Sequence, residues 1–366
     1  MIRRPNAKPA LRLESLESRQ LLNAGGPSAE AEYMLNLINQ VRTNPQAAAI
    51  ALTTNLDANV QATVQYFNVD LNQVRNAIAS STPRQPLAWN DNLAAAAVWQ
   101  SQDQANTGVQ SHNGSDGSNS MQRIQRNGYQ NVTVQGENAY AYSQSVDHAM
   151  EAFLIDWGVA SNGHRNNILQ PNANDQSSYQ EVGIGITNTG NNGLGPEVIT
   201  QDFASRSNYT AQVVGVVYYD NNHDNNFSQG EGQGGLTITA TNVATGGATS
   251  TTSWDGGGYQ LPLNPGQYKV VAQMGDKVFR TDYISMGTQN IKVDYNLSQT
   301  WVPVANPTPV TVQPPVVVAQ QQIRQQAPVQ QPVTPNVVAN TFASFTPTPK
   351  PKSNSWFSWS SWVARS

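Results

Sequence analysis

Glu181-Val182-Gly183-Ile184-Gly185-Ile186-Thr187, a turn-rich segment from Asn188 to Pro196, and Glu197-Val198-Ile199-Thr200-Gln201-Asp202-Phe203 together decide how this chain is read. Both outer runs are short and strand-like, and the residues between them favour turns, so they read as two strands. Upstream the pattern is helical. Met34, Leu35, Leu37, Ile38 and Val41 recur at the spacing of one helical face over residues 29–50, which leaves Asn36, Asn39 and Arg42 outside. Asn44-Pro45 breaks that helix and restarts a short Ala-rich one. A helix is predicted from Leu71 to Ile78, and another from Leu93 to Gln104, capped by Asn90 or Asp91. Ser145 to Trp157 places Val146, Ala149, Met150, Phe153 and Trp157 on one face. Helices first and short strands after them predict an α+β layered domain over residues 29–206.

After Ser207 the composition changes. Val213–Tyr219, Leu236–Thr241, Tyr259–Leu263, Tyr268–Ala272, Lys277–Tyr283 and Asn290–Tyr295 are β-rich runs between Gly and Asn turns, which predicts a small all-β sandwich over 207–300. Residues 301–366 are dominated by Pro, Gln, Val and Thr and read as a disordered tail. Its Trp356-Phe357-Ser358-Trp359-Ser360-Ser361-Trp362 end is either a sticky anchor or an exposed terminus. Residues 1–28 open on Arg3, Arg4, Lys8 and Arg12, but Glu14, Glu17 and Arg19 interrupt the segment where a secretory apolar core would lie. They read as a disordered start or an export leader. Leu13 to Leu22 resembles the short leader of many large exported bacterial proteins, which favours an extracellular or cell-surface location.

Composition narrows the partners. Charged residues make up 12% of the 366 residues and the net charge is -4, so the chain lacks the basic footprint of a nucleic-acid binder. No apolar run approaches the roughly 20 residues that span a bilayer. With no Cys there is neither a disulfide framework nor a thiol nucleophile.

The chain has only 4 His, and two of them fall inside short motifs. Four residues stand out: His112 in Ser111-His112-Asn113-Gly114, Glu137 in Gly136-Glu137-Asn138-Ala139, His164 in Gly163-His164-Arg165-Asn166-Asn167-Ile168-Leu169, and Glu181 at the start of the first strand. Two imidazoles and two carboxylates can hold a divalent metal or polarise a water if the fold brings them to one cleft. Taken singly, each is more often a structural hydrogen-bonding group, and Glu137 or Glu181 could equally cap a helix or brace a loop. Arg165 is expected to pair with a carboxylate, and His148, beside Asp147 and Glu151, to lie solvated on the surface. Ser111 beside His112 is a poor nucleophile–base pair, because adjacent residues rarely face one another.

In this order the motifs resemble those of the CAP superfamily: cysteine-rich secretory proteins, antigen 5 and pathogenesis-related proteins, in its bacterial form. Pro86-Leu87-Ala88-Trp89-Asn90, Asp116-Gly117-Ser118, and Arg123 with Gly128-Tyr129 add to the likeness. It implies a three-layer α-β-α sandwich in which His112, Glu137, His164 and Glu181 meet in one groove. It also implies that His112 and His164 can hold a zinc-type ion. Trp157 to Asn162 is longer than the usual approach to the His164 motif, and the disulfides of eukaryotic relatives are absent.

The β-rich region carries a motif of its own. Asp220, Asn222, Asp224, Asn226 and Glu231 occupy positions 1, 3, 5, 7 and 12 of a calcium loop, with Asn225 in place of the usual Gly at position 6. Few acidic ligands imply weak binding, about 10⁻⁴ to 10⁻³ M. The region also resembles the B-type repeats of bacterial surface adhesins, through Gly256-Gly257-Gly258-Tyr259 and Asn264-Pro265-Gly266-Gln267-Tyr268. The whole reads as an exported binding module for an extracellular protein, peptide, lipid or cell-wall ligand. The alternative is a metal-dependent hydrolase of peptide, ester or cell-wall substrate with Glu137 or Glu181 as general base. A structural surface protein with a relic tetrad is a third reading.

Overall fold

Asn44 ends one helix and starts the next. Helix α1 (Ala29–Thr43) begins at Ser28, whose hydroxyl accepts the Ala31 N–H, and α2 (Pro45–Ala51) begins where the Asn44 side chain accepts the Ala47 N–H. Such caps contribute about 1 kcal/mol each by satisfying an otherwise orphaned donor. Helices α3 (Ala58–Tyr66) and α4 (Leu71–Ala79) follow, both capped by Asp side chains. Then come β1 (Ala88–Trp89), α5 (Asp91–Thr107), α6 (Ser120–Arg126) and the long strand β2 (Val132–Ser143). Helices α7 (Val146–Ile155) and α8 (Gly163–Leu169) precede strands β3 (Glu181–Asn188) and β4 (Glu197–Arg206). This computed structural model describes residues 26–299 except 55, 175–176 and 190–192. The leader reading up to residue 25 and the tail reading of 301–366 lie outside the described residues.

The four strands form one sheet in the order β1-β3-β4-β2, which leaves β2 at an edge. Alternation sends successive side chains to opposite faces. On one face Gly183 and Gly185 let the backbone of α5 lie directly on β3; a methyl at either would collide with that helix. The Ser101 hydroxyl on α5 adds bonds of 2.9 Å to Thr200 and to the Gly185 carbonyl. The other face, with Ile184, Ile199 and Phe203, packs against Met34 and Ile38 of α1 and Phe153 of α7. The result is the expected three-layer α-β-α arrangement.

A second lobe follows. Strand β5 (Gln212–Tyr218) pairs with β8 (Gly258–Pro262) on one side and, in parallel, with β11 (Ile291–Lys292) and β12 (Tyr295–Asn296) on the other. The opposing sheet runs β10-β9-β6-β7, from β6 (Thr237–Asn242), β7 (Ala248–Thr252), β9 (Gly266–Met274) and β10 (Lys277–Met286). Val213, Val217, Ile238, Tyr259, Val270 and Met286 close the core between the sheets.

Helix α1 is covered on a second side, by the segment leading into β1 and the connection from α8 to β3, and this overturns one expectation. Asn36, Asn39 and Arg42, the polar stripe expected outside, are 2%, 4% and 0% exposed. Asn39 exchanges hydrogen bonds with Leu87 at 2.7 and 3.0 Å. Arg42 donates to the carbonyls of Gln85 and Ile168 and to the Gln170 side chain. Burial among carbonyls with no carboxylate at hand lowers its pKa to about 9. Asn290 fastens the β-lobe: its side chain donates to the carbonyls of Pro86 and Gln180 and accepts from Tyr209 and the Gln212 N–H.

Candidate functional site

His112 sits on the loop after α5, and that helix holds the loop in place. Gln100 donates to the Ser111 carbonyl at 2.6 Å, and Gln104 accepts the Ser111 N–H at 3.2 Å. The Ser111 hydroxyl accepts the Asn113 N–H, so it turns to its own loop and not to the imidazole. The ring is 56% exposed, and its Nδ1 lies 2.8 Å from Oε1 of Glu137, whose side chain is 3% exposed. The second Glu137 oxygen accepts from Nη2 of Arg123 at 2.5 Å. Arg123 is fully buried; it also donates to the carbonyls of Ser118 and His112, locking helix α6 and the His112 loop to β2.

Behind Glu137 lies a group that motif reading passed over. Asp202 on β4 is the register partner of Glu137 and shares its face of the sheet. It is 1% exposed, and neither carboxyl oxygen meets a donor. Burial raises its pKa well above the carboxylate range, and the neighbouring Glu137 charge pushes the same way. Arg123 is thus one cation beside two carboxyl groups. The only sequence hint is an acidic residue next to Phe203 in the interior of a strand-like run.

His164 opens α8 and is 16% exposed at its side chain. Its Nδ1 lies 2.8 Å from Oδ1 of Asp156, the left-handed residue (φ 62°) that ends α7. Asp and Asn reach that conformation at less cost than most residues. The other Asp156 oxygen accepts the Arg165 N–H at 3.2 Å. The Arg165 guanidinium, expected on a carboxylate, donates instead to the carbonyls of Leu154 and Ile155, sealing the end of α7. Asn138 donates to the His164 carbonyl at 3.2 Å, and Asn167 donates to the Asn138 side chain at 2.8 Å. Glu137 and Asn138 are consecutive on β2, so they point to opposite faces. The two imidazole-bearing segments therefore meet β2 from opposite sides of the sheet's edge strand.

Glu181 belongs to a different knot. It pairs in register with Ala204, and its oxygens accept from Asn90 (2.9 Å), Tyr129 (2.8 Å) and Arg206 (2.9 Å). Its contacts are to these three residues and not to either histidine. It braces the start of α5 against the sheet.

His148 departs from expectation. Its ring is wedged between Tyr140 and Trp157 at 5.8 Å from each, the residue is 6% exposed, and burial lowers its pKa. Helix α7 is covered on that side as well, which the sequence alone does not reveal.

In the loop at 220–231, Asp220 accepts the N–H groups of Asp224 and Asn225, and Glu231 accepts those of Asn221 and Ser228. Asn225 adopts φ 63°, the conformation usually given to Gly at that position. Among the described residues no group of three or more His, Cys, Asp and Glu side chains is arranged to hold a metal. None of the described helices is long and apolar enough to cross a membrane.

Residues 35–203 match the family model described as CAP, cysteine-rich secretory protein family. Among solved structures, an extracellular protein of Bacillus anthracis containing an SCP domain is 21% identical, covering 42% of this chain and 45% of that one, with a TM-score of 0.27. This chain thus spans less than half the length of that protein. An outer surface protein of Borrelia burgdorferi is 15% identical, covering 42% of this chain and 98% of that one, also with a TM-score of 0.27. No curated protein matches the chain.

Proposed function

Since residues 35–203 form a CAP domain, we propose that the chain is an exported, extracellular binding module. Its working surface is the edge of β2, flanked by the His112 loop and by the start of α8 with His164. The supporting observation is that each imidazole is held through Nδ1 by a buried carboxylate, Glu137 or Asp156. Such anchoring fixes the ring and favours the tautomer with a free Nε2, the form that binds a metal or accepts a proton from a ligand. A zinc-type ion would be held by His112 and His164 and would supply Lewis acidity toward a bound group.

Binding is favoured over hydrolysis by the state of the glutamates. A general base needs a free lone pair aimed at water. Glu137 is taken up by His112 and Arg123, and Glu181 by Asn90, Tyr129 and Arg206. Calorimetric titration of the full chain with zinc, beside the His112→Ala/His164→Ala double variant, tests the reading. Heat that saturates in the wild type and vanishes in the folded variant is expected. Equal heats from both proteins would sink the metal reading, and turnover of peptide or ester probes lost in the variant would establish the hydrolase.

For the second lobe we propose calcium at Asp220, Asn222, Asp224, Asn226 and Glu231, with the lobe as a rigid support. At the affinity expected of such a loop, about 1 mM calcium adds roughly 0.4–1.4 kcal/mol to stability. An unfolding midpoint that ignores calcium and chelator alike would dismiss it.

A further inference from the structure

The seam between the lobes carries a buried acid with no partner. Glu32 on α1 is 3% exposed, and its Oε2 meets no donor. It lies against Gly258 of β8, where a methyl group would collide with both carboxyl oxygens. One turn on, Asn36 is 2% exposed with both side-chain polar atoms unpartnered, as is Oε1 of Gln260 on β8. The spacing explains the match. Four helical residues advance about 6 Å and two strand residues about 6.6 Å, so the row Glu32, Asn36 runs alongside the row Gly258, Gln260.

These groups line a small cavity with Trp89, Trp254 and Lys292, offering about 10 Å³ to water centres, close to what one water needs. Lys292 is the cation lining it, and its ammonium is taken by Asp294. Arg280 is likewise engaged, donating to the Asp294 carbonyl and to Asp282. Tyr259 faces inward with its hydroxyl on the Val293 carbonyl, while Asp255 in the adjoining turn is exposed. A carboxylate here would be a buried charge without a counter-ion of its own, a costly state.

We propose that the seam is a proton-linked joint: Glu32 docks on β8 as the neutral acid, with one water serving Asn36 and Gln260, and its ionisation loosens the β-lobe from α1. The acid form is consistent with the effect of burial, which raises the Glu32 pKa to about 8; Lys292 opposes the rise and Asp294 adds to it. A folded pKa above the unfolded value means that the stabilisation is complete below the unfolded range. It is lost progressively as pH rises toward about 8.

Hydrogen exchange on the full chain tests the joint, read at the amides of β8 and corrected for the intrinsic pH effect. Between pH 5 and 8.5, wild-type protection at β8 is expected to fall roughly five-hundredfold relative to Glu32→Gln, whose amide cannot ionise. Parallel protection in the two proteins overturns the proposal. Should Glu32→Gln fail to fold, carbon-13 NMR of the wild-type glutamate carboxyls reads the group directly. A Glu32 resonance titrating near pH 8 sustains the joint, and one titrating in the ordinary carboxylate range overturns it.

Discussion

Glu137 and Glu181 lie on one face of the same sheet, each against an arginine, yet their surroundings differ at every other point. Glu181 sits on β3, an interior strand, and its donors Asn90, Tyr129 and Arg206 close around it. Glu137 sits on β2, the edge strand, with one oxygen on a buried guanidinium and the other on an imidazole open to solvent. Behind it stands a second carboxyl, Asp202, with no donor. Strand position decides the difference: a side chain on the interior strand ends inside the layer, whereas one at the edge connects the core to the outside. Two glutamates with equal standing as motif residues thus divide into a brace closed within the layer and a carboxylate that links a buried guanidinium to a solvent-open imidazole.

The sharpest way to break that comparison is to remove the cation that makes the Glu137 cluster tolerable. Arg123→Ala leaves Glu137 and Asp202 buried together without a positive partner. It is expected to cost about 3–5 kcal/mol in chemical denaturation at neutral pH, with helix α6 and the His112 loop released from β2. A cost under about 1 kcal/mol would mean that both acids are protonated or water-exposed, and that the cluster is no electrostatic unit.

Glu181→Ala tests the other half. Losing three hydrogen bonds to a buried carboxylate is expected to cost about 2–3 kcal/mol, held down because Arg206 is one-third exposed and can turn to water. Ligand or metal heats at the histidines should not change. A lost binding heat in a folded Glu181→Ala protein would place Glu181 with the site and erase the distinction.

Asp202→Asn sharpens it through pH. The folded pKa of Asp202 is raised, so wild-type stability declines as pH rises from the unfolded carboxylate range. The amide variant lacks this loss. It should match the wild type in acid and exceed it by about 1–3 kcal/mol at alkaline pH, the cost of an unsatisfied buried charge. A constant gap across pH would show that Asp202 stays neutral throughout.

Much of this architecture was legible in the chain. Apolar periodicity marks α1 and α7, Ala-rich propensity with an Asn90 or Asp91 cap marks α5, the Leu71–Ile78 run marks α4, and the two runs flanking the Asn188–Pro196 turn are β3 and β4. Strand β2 escaped because its inward positions are polar: Gly136 and Asn138 serve α8 rather than a greasy core. Strand β7 escaped because Ala248–Thr252 is a polar, largely exposed edge. The polar stripe of α1 and the ring of His148 read as solvent-facing because periodicity reports one buried face, and a helix covered on two faces carries no second signal. His112 and Glu137 were found by motif and do touch. Asp156 was not, because its role comes from a left-handed turn at the end of α7, a property of backbone geometry.

The smallest expected effect bears most directly on function. His112→Ala removes an imidazole that is more than half exposed and whose carboxylate partner keeps Arg123. A solvent-screened pair of this kind contributes about 0.2–1 kcal/mol, so the unfolding midpoint should scarcely move. Its rigid seat at Glu137, the side of the sheet it occupies and its exposure are hard to reconcile with a packing role, but suit a group presented to a partner. A stability loss of about 3 kcal/mol or more would turn that around: His112 would then be a structural plug for the Glu137–Asp202 cluster, and the edge of β2 would lose its claim to be the binding rim.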